Sequence, residues 1–405
     1  MAKIKLLALE AKACFDYFNS NSNQDYNSPA FGLTLDSYPC YRGISSIAAT
    51  GFALVAYIIG CERGWLDRGT LIRRVRGTLD SLLYRADHTK GFFYHFMDIK
   101  TGKRYKKSEL SIIDTAIALA GAITAGEYFG GEIKEKAASL FNRVDWTWFR
   151  DKKNNRFYMG YTPEQGFSGW WDFYAEQLLM YILGAGSMTY PVPGDMFYSF
   201  VRYKRANSLD FIYSWFGSLF THQYSHAFID FRGRLDRYGV DWFDNSVRAS
   251  LANRDYCIEL GRKFKTLHER SWGLTPCQGP FGYQGRYGAG PSGIYDDEHI
   301  VDGTVPPSGA LGSIVFTPDL SLEALNYYKG QTRLWGEYGL VDAYNLDIKQ
   351  AWYADSYIGI NKGITLLMAE NYTSGLVWEL FMKNEIVQRG LKVVGLSEDI
   401  KRHTA

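Results

Sequence analysis

The feature that most constrains this chain is a recurrence of apolar, small-residue helical segments, each followed or preceded by a more polar one. Residues 44–63 and 108–129 are rich in Ala, Gly and Thr, whereas 69–85 and 131–143 carry charge at helical spacing. Residues 3–19 form an amphipathic pattern, with Leu6, Leu9, Phe15 and Phe18 near one face. Further helices are expected over 172–184, 194–206, 242–264, 320–329 and, as one or two pieces, 357–385. A two-layer helical ring explains the alternation. Inner helices touch neighbours on every side, and outer helices show one face to water. No solenoid repeat period is present. Short strands are expected at 91–97 and 157–161, on one rim of the ring.

Residues 43–61 lack charge, which is one requirement of a membrane span. Ser45, Ser46, Thr50, Gly51 and Gly60 interrupt the stretch, so a buried helix is expected and no membrane partner. Nothing after Met1 resembles the apolar core of a secretory leader, which points to the cytoplasm; a leader removed beforehand would leave the same start. A net charge of +2 gives no electrostatic reason for nucleic-acid binding. The five cysteines are scattered without CxxC spacing, so zinc and redox motifs are absent and no metal or cofactor is expected.

Residues 272–319 are too rich in Gly and Pro for a helix and too long for a plain connection. Trp272, Phe281, Tyr283, Tyr287 and Tyr295 interrupt the stretch, as in a binding loop on a rigid scaffold. Aromatic residues make up 16% of the chain. That share serves an aromatic core, and equally the stacking of flat rings on sugar faces.

Five clusters could carry chemistry. In the first, Trp170, Trp171, Asp172 and Tyr174 precede Glu176, which opens a strongly apolar helix. Desolvation there would keep the Glu176 carboxyl protonated, as a general acid requires. The bland reading, a carboxylate capping a helix, fits Asp172 better. In the second, Glu109 reads as a first-turn residue capped by Ser108, and Asp114 lies inside an apolar helix, where it must be paired or functional. In the third, His222 and His226 share one helical face; Gln223 rules out the HExxH zinc motif. Sugar binding and a buried structural pair stand level. The fourth, Asp296-Asp297-Glu298-His299 with Asp302, lacks the EF-hand pattern and reads as a solvated loop. In the fifth, Asp342 and Asp355 lie among aromatic residues before the last long helix and are candidate partners for Glu176. Arg42, Tyr287 and Trp352 complete the candidate substrate contacts, with Glu109, Trp170, Trp171, Tyr174, His222, His226 and Asp342.

Several of these stretches, taken in order, resemble a known family. They are Ser45–Phe52, Ser108–Ala116, Trp170–Glu176, His222–His226, Asn245-Ser246, Trp272–Leu274, Asp302–Ser308, Gly339–Asn345 and Met368–Trp378. The chain resembles the bacterial glucoamylase-like proteins, which include the β-1,2-glucanases of glycoside hydrolase family 144. Related domains occur within cyclic β-1,2-glucan synthases. The resemblance implies an all-α fold, an (α/α)6 toroid with long rim loops and short β-strands, formed by one catalytic domain over 1–405. It also implies inverting hydrolysis of β-1,2-glucan or its oligosaccharides, with Glu176 as acid and Asp355 or Asp114 as the carboxylate that activates water. One departure stands out: relatives read Gly-Ile-Asp-x-Gly-Pro where this chain has Gly359-Ile360-Asn361-Lys362-Gly363-Ile364. Transglycosylation, non-catalytic glucan binding and a starch-type glucoamylase activity remain open alternatives. The sequence is silent on oligomeric state.

Overall fold

The structure is a computed structural model that describes residues 2–204 and 210–398. It is mostly helical, with thirteen α-helices among the described residues. These are α1 (Ala2–Asn21), α2 (Ile47–Glu62), α3 (Arg68–Tyr84), α4 (Ile112–Phe129), α5 (Gly131–Asn142), α6 (Leu178–Gly186) and α7 (Tyr224–Phe228). They continue with α8 (Trp242–Leu260), α9 (Pro307–Gly312), α10 (Pro318–Lys329), α11 (Gly359–Thr373), α12 (Leu376–Met382) and α13 (Glu385–Val394).

Six helices form the inner layer. α2 packs on α4, α4 on α6, α6 on α7, α7 on α11 and α11 on α2; α9 packs on α11 and on the 3-10 turn Leu219–His222 that leads into α7. The outer layer follows from chain order. α1 lies on α2 and α11, α3 on α2 and α5, α5 on α4, and α10 on α9. Among the described residues no long outer helix separates α6 from α7. The 3-10 turns Gly194–Tyr198 and Leu219–His222 stand there, and the returning helix α13 packs on α6. The expected helix at 194–206 is therefore only the first of these turns, as far as Tyr198, and its last two positions lie outside the described residues.

Side-chain size sets how closely the inner helices approach. Every residue of α2 from Ile47 to Gly60 is buried, as an inner position requires. At the α2–α4 crossing a Cβ on Gly121 would stand 2.1 Å from the Gly51 carbonyl oxygen, and one on Gly51 2.6 Å from the Ile117 carbonyl. Only hydrogen fits on either side. α4 is long and apolar enough to cross a membrane by length and composition, but most of it is buried within the ring. α1 buries Leu7, Cys14, Phe15 and Phe18 and leaves Leu9 exposed, so its buried face is rotated from the one expected.

The short strands lie at the N-terminal ends of the inner helices. Ile44–Ser46, immediately before α2, pairs with Phe96–Asp98. Leu110–Ser111, immediately before α4, pairs with residues of Arg156–Thr162. Tyr357–Ile358, immediately before α11, pairs with Ser37–Tyr38. These pairs stitch the rim at the end where the inner helices begin. The region 272–319 wraps the same rim: Gly293 N donates to the Trp215 carbonyl, Ala289 N to the Gly217 carbonyl and Ser218 Oγ to the Tyr287 carbonyl. A Cβ on Gly288 would meet the Phe216 carbonyl at 1.9 Å, which explains why glycine recurs in this loop.

The tight α2–α4 crossing yields a direct expectation. Gly121→Val should force the two backbones apart and cost about 1–3 kcal/mol. Chemical denaturation would read this as a lower midpoint with unchanged slope, and an unchanged midpoint would contradict the close approach.

Candidate active site

A cleft of about 500 Å³ opens at the stitched rim. Trp170, Phe173, Trp215, Phe216 and Phe220 line it, and Glu176 lies within it. Trp170 is 46% exposed, whereas Trp171 and Tyr174 also border the cleft but are almost entirely buried. Tyr174 stacks on Trp242 at 5.0 Å and 24°. It supports the cleft rather than offering a free ring face.

Glu176 stands two residues before α6. Its backbone carbonyl accepts from Ser225 Oγ at 2.7 Å, which fixes the turn. By exposed area the residue is only part-buried, but its carboxyl end is densely surrounded, and that end governs ionisation. Burial pushes its pKa from 4.5 up to about 7; its own backbone amide opposes this and the nearby Asp114 charge adds to it.

Three further carboxyl groups share this field. Asp114 lies in the first turn of α4. The helix starts at Ile112 and its cap is Ser111, not Ser108 as expected; Glu109 precedes the helix. Ser111 Oγ accepts from Asp114 N at 3.3 Å and donates to Asp114 Oδ2 at 2.5 Å, a reciprocal cap. Asp36, in the loop before α2, is pushed up to about 6 by burial; His95 opposes the shift and Asp114 adds to it. Asp342 is buried and is likewise pushed up to about 6 by burial. It accepts from Gln278 N at 2.7 Å and from Asn361 Nδ2 at 2.8 Å, which partly offset that rise. The phenol of Tyr224 feels Glu176, Asp114 and Asp342 together, and that of Tyr283 feels Asp342, Asp36 and Asp114. Both phenols are raised, by burial first. Tyr283 is 55% exposed overall, yet its hydroxyl end is enclosed among these carboxyls.

Two cations act on the cluster. Lys362, bonded to Glu10 at 2.9 Å, lowers the pKa of Asp342, and His95 stands on the other side. His95 Nδ1 lies 2.9 Å from Glu109 Oε1, and Nε2 lies 3.9 Å from Asp114 Oδ2. Burial would lower its pKa, but Asp114, Glu109 and Asp36 outweigh this and bring it to about 9.

The structure separates other candidates from the cleft. His226 is fully buried among Phe231, Phe243 and Phe316, with Nε2 3.0 Å from Ser246 Oγ. His222 packs on Tyr174 and Phe211. Burial lowers both imidazoles to about 3, so the pair is a neutral part of the core and not a sugar contact. Tyr287 is also buried, its hydroxyl donating to Asp302 Oδ2 at 2.6 Å. That bond ties the loop together and takes up Asp302. Trp352 is half-buried in a hairpin with Asn345. Asp355 is exposed on the rim, its charge felt by the exposed Cys40 thiol. Arg42 is exposed, with its guanidinium 5.1 Å over the Tyr38 ring. Among the described residues no group of three metal-ligating side chains is present. Asp36, His95, Trp215 and Phe216 were not among the sequence candidates. The lone His95 in the aromatic run Phe92–Phe96 was the one signal available for that residue.

Residues 169–385 match the family model Glycoamylase, described as "Putative glucoamylase". The exo β-1,2-glucooligosaccharide sophorohydrolase (non-reducing end) of Parabacteroides distasonis is 28% identical over 440 residues, covering 97% of this chain. This chain spans 58% of that relative's length. The endo-β-1,2-glucanase of Chitinophaga pinensis, solved with sophorotriose and glucose, superposes with a TM-score of 0.86 at 27% identity, covering 98% of this chain and 99% of its own. A β-1,2-glucanase structure from Parabacteroides distasonis gives 0.86 at 27% identity, covering 98% of this chain and 60% of that one.

Holding Glu176 in its place has a thermodynamic consequence. A carboxyl whose pKa rises on folding favours the native state below its unfolded pKa, and this advantage is lost as pH rises through the folded value. Glu176→Gln should therefore stabilise the protein at pH 8 relative to the unsubstituted chain, by something on the order of 1–3 kcal/mol. The difference should shrink towards pH 4.5. Thermal melts across pH 4–8 would read it, and a gap that widens towards acid would contradict a raised Glu176.

Proposed function

The chain belongs to the glucoamylase-like family, and from that premise we propose that it is an inverting glycoside hydrolase acting on β-1,2-glucan or β-1,2-gluco-oligosaccharides. One observation carries this reading: a carboxyl raised to about 7 by burial, set in an aromatic-walled cleft. At neutral pH a large share of Glu176 holds its proton, ready for the oxygen of a departing sugar.

In the proposed reaction, water attacks the anomeric carbon from the face opposite the leaving group. The C–O bond breaks as Glu176 gives its proton to the leaving oxygen, and the proton released by water passes to a carboxylate. Asp114 suits that last role better than Asp355. Asp114 stands in the same field as Glu176 with a cation beside it, whereas Asp355 is exposed on the rim. Trp170 and its aromatic neighbours supply faces for the apolar sides of glucose rings. Asp342 serves as a hydroxyl acceptor. Asn361, where relatives carry a carboxylate, supports this arrangement: its amide donates to Asp342 and adds no second negative charge. The similar proteins include both an exo-acting and an endo-acting enzyme, so the mode of chain attack is left to product analysis.

Glu176→Gln should lower turnover of β-1,2-glucan by about 10²–10⁴-fold while the circular dichroism spectrum stays unchanged. Chromatography of products from the unsubstituted protein should show short β-1,2-linked oligosaccharides and none from starch. Undiminished turnover in the substituted chain would end the assignment of Glu176 as acid.

A further inference from the structure

Building on the reading of this cleft as a hydrolytic site, we propose that His95 is its positioning cation. Held by Glu109, the imidazolium stands beside the Asp114 carboxylate as its counter-charge and keeps it aimed. Asp114, rather than another carboxyl of the cluster, then takes the proton released by the attacking water.

The geometry supports each part. The segment that carries His95, between the strands Phe92–Phe93 and Phe96–Asp98, is bonded on both sides: His95 N donates to the Glu109 carbonyl at 2.9 Å, and Ile47 N, at the start of α2, donates to the His95 carbonyl at 3.1 Å. The ring lies stacked on Phe96, with centroids 3.8 Å apart and planes at 19°. It therefore has little freedom to turn. At 2.9 Å from an ionised Glu109, which can only accept, Nδ1 must carry the proton. Nε2 then faces Asp114 at 3.9 Å, within ion-pair range but too far for a direct hydrogen bond. One Asp114 oxygen is held by Ser111, and the other accepts no hydrogen bond from the described residues. Asp114 is thus oriented, has a cation beside it and is still able to accept.

The charged groups facing His95 are Glu109, Asp114 and Asp36. Arg104, the nearest cation beyond Glu109, is committed to Glu164 and to the Ser108 carbonyl. The environments of His88, His222, His226, His268 and His299 all lower the imidazole pKa; among the described histidines only His95 is raised. This positive charge lies on the Glu109–Asp114 side of the acidic cluster, whereas Lys362, bonded to Glu10, acts on Asp342. Asp36 and Glu176 are shifted towards the protonated form, whereas the carboxylate beside the imidazolium gains a counter-charge. His95 keeps its proton throughout; the proton that moves goes from water to Asp114.

Two measurements test the proposal. In the full chain labelled with ¹⁵N-histidine, His95 should titrate near pH 9, above every other described histidine. Glu109→Gln should lower that value by about one unit or more. A His95 that titrates below 7 overturns the proposal, whatever the protein hydrolyses. In steady-state kinetics on β-1,2-glucan, His95→Gln should lower kcat roughly tenfold and move the acid limb of the kcat profile upward by about one pH unit. KM should stay within about twofold, and His95→Arg should return the acid limb towards its original position. An unmoved acid limb in a folded His95→Gln overturns the proposal. Absence of any turnover by the unsubstituted protein, with the imidazole still titrating near 9, would instead overturn the hydrolase reading.

Discussion

Four carboxyl groups that share one electrostatic field, Asp36, Asp114, Glu176 and Asp342, are the constraint around which the rest of this structure is arranged. Burial raises the pKa of such groups first, and neighbouring like charges add to the effect. Asp36, Glu176 and Asp342 all show this rise. A fold that brought them together with no compensation would open at the rim. The compensation is built from directed donors: Ser111 on Asp114, and Gln278 N with Asn361 on Asp342. The His95 imidazolium adds one positive charge between two acids. The inner helices also begin at this end, so their unpaired N–H groups and positive dipole ends face the same region.

Bringing those helix starts together requires close packing further down the ring. Gly51 and Gly121 let α2 and α4 touch backbone to backbone, so that Asp36, before α2, and Asp114, on α4, share a field. The rim strands add register. Ser46 pairs with Phe96 and Ser111 with Gly160, so α2 and α4 each begin at a strand-paired position and not at the end of a loose loop. Glycine in the 272–319 loop does similar work, because Gly288 packs on the 216–217 backbone beside Trp215 and Phe216 of the cleft wall. Architecture and electrostatics are therefore linked through a few positions where a Cβ has no room.

The helical ring was legible because inner helices advertise themselves: α2 and α4 are apolar on all sides, and no ordinary surface helix is. Their boundaries were less so. Residues 44–46 and 110–111 carry residues that helices tolerate, but they are drawn into strand pairs with Phe96–Asp98 and with Gly160 and Tyr161. α7 and α9 span only one or two turns, too short for a period to emerge, and both are held by packing in the ring. Glu176 could be found from sequence because its neighbours on both sides are hydrophobic, so desolvation followed from local context. Asp36 could not, since what buries it comes from His95, Asp114 and the helices around them.

The histidines show the same limit from the other direction. His222 and His226 have the spacing that suggests a site, yet spacing fixes only which face of a segment they share and not what that face meets. Phe231, Phe243 and Phe316 surround His226, and a ring desolvated without a counter-charge stays neutral. His95 has no such spacing and is desolvated too, but three carboxylates reverse the sign of its shift. The difference between a core histidine and a working one thus lies in the charge that tertiary structure delivers to it, and Glu109 and Asp114 are the residues that deliver it here. A reading of this cleft that counts only its acids omits the group that makes those acids inequivalent.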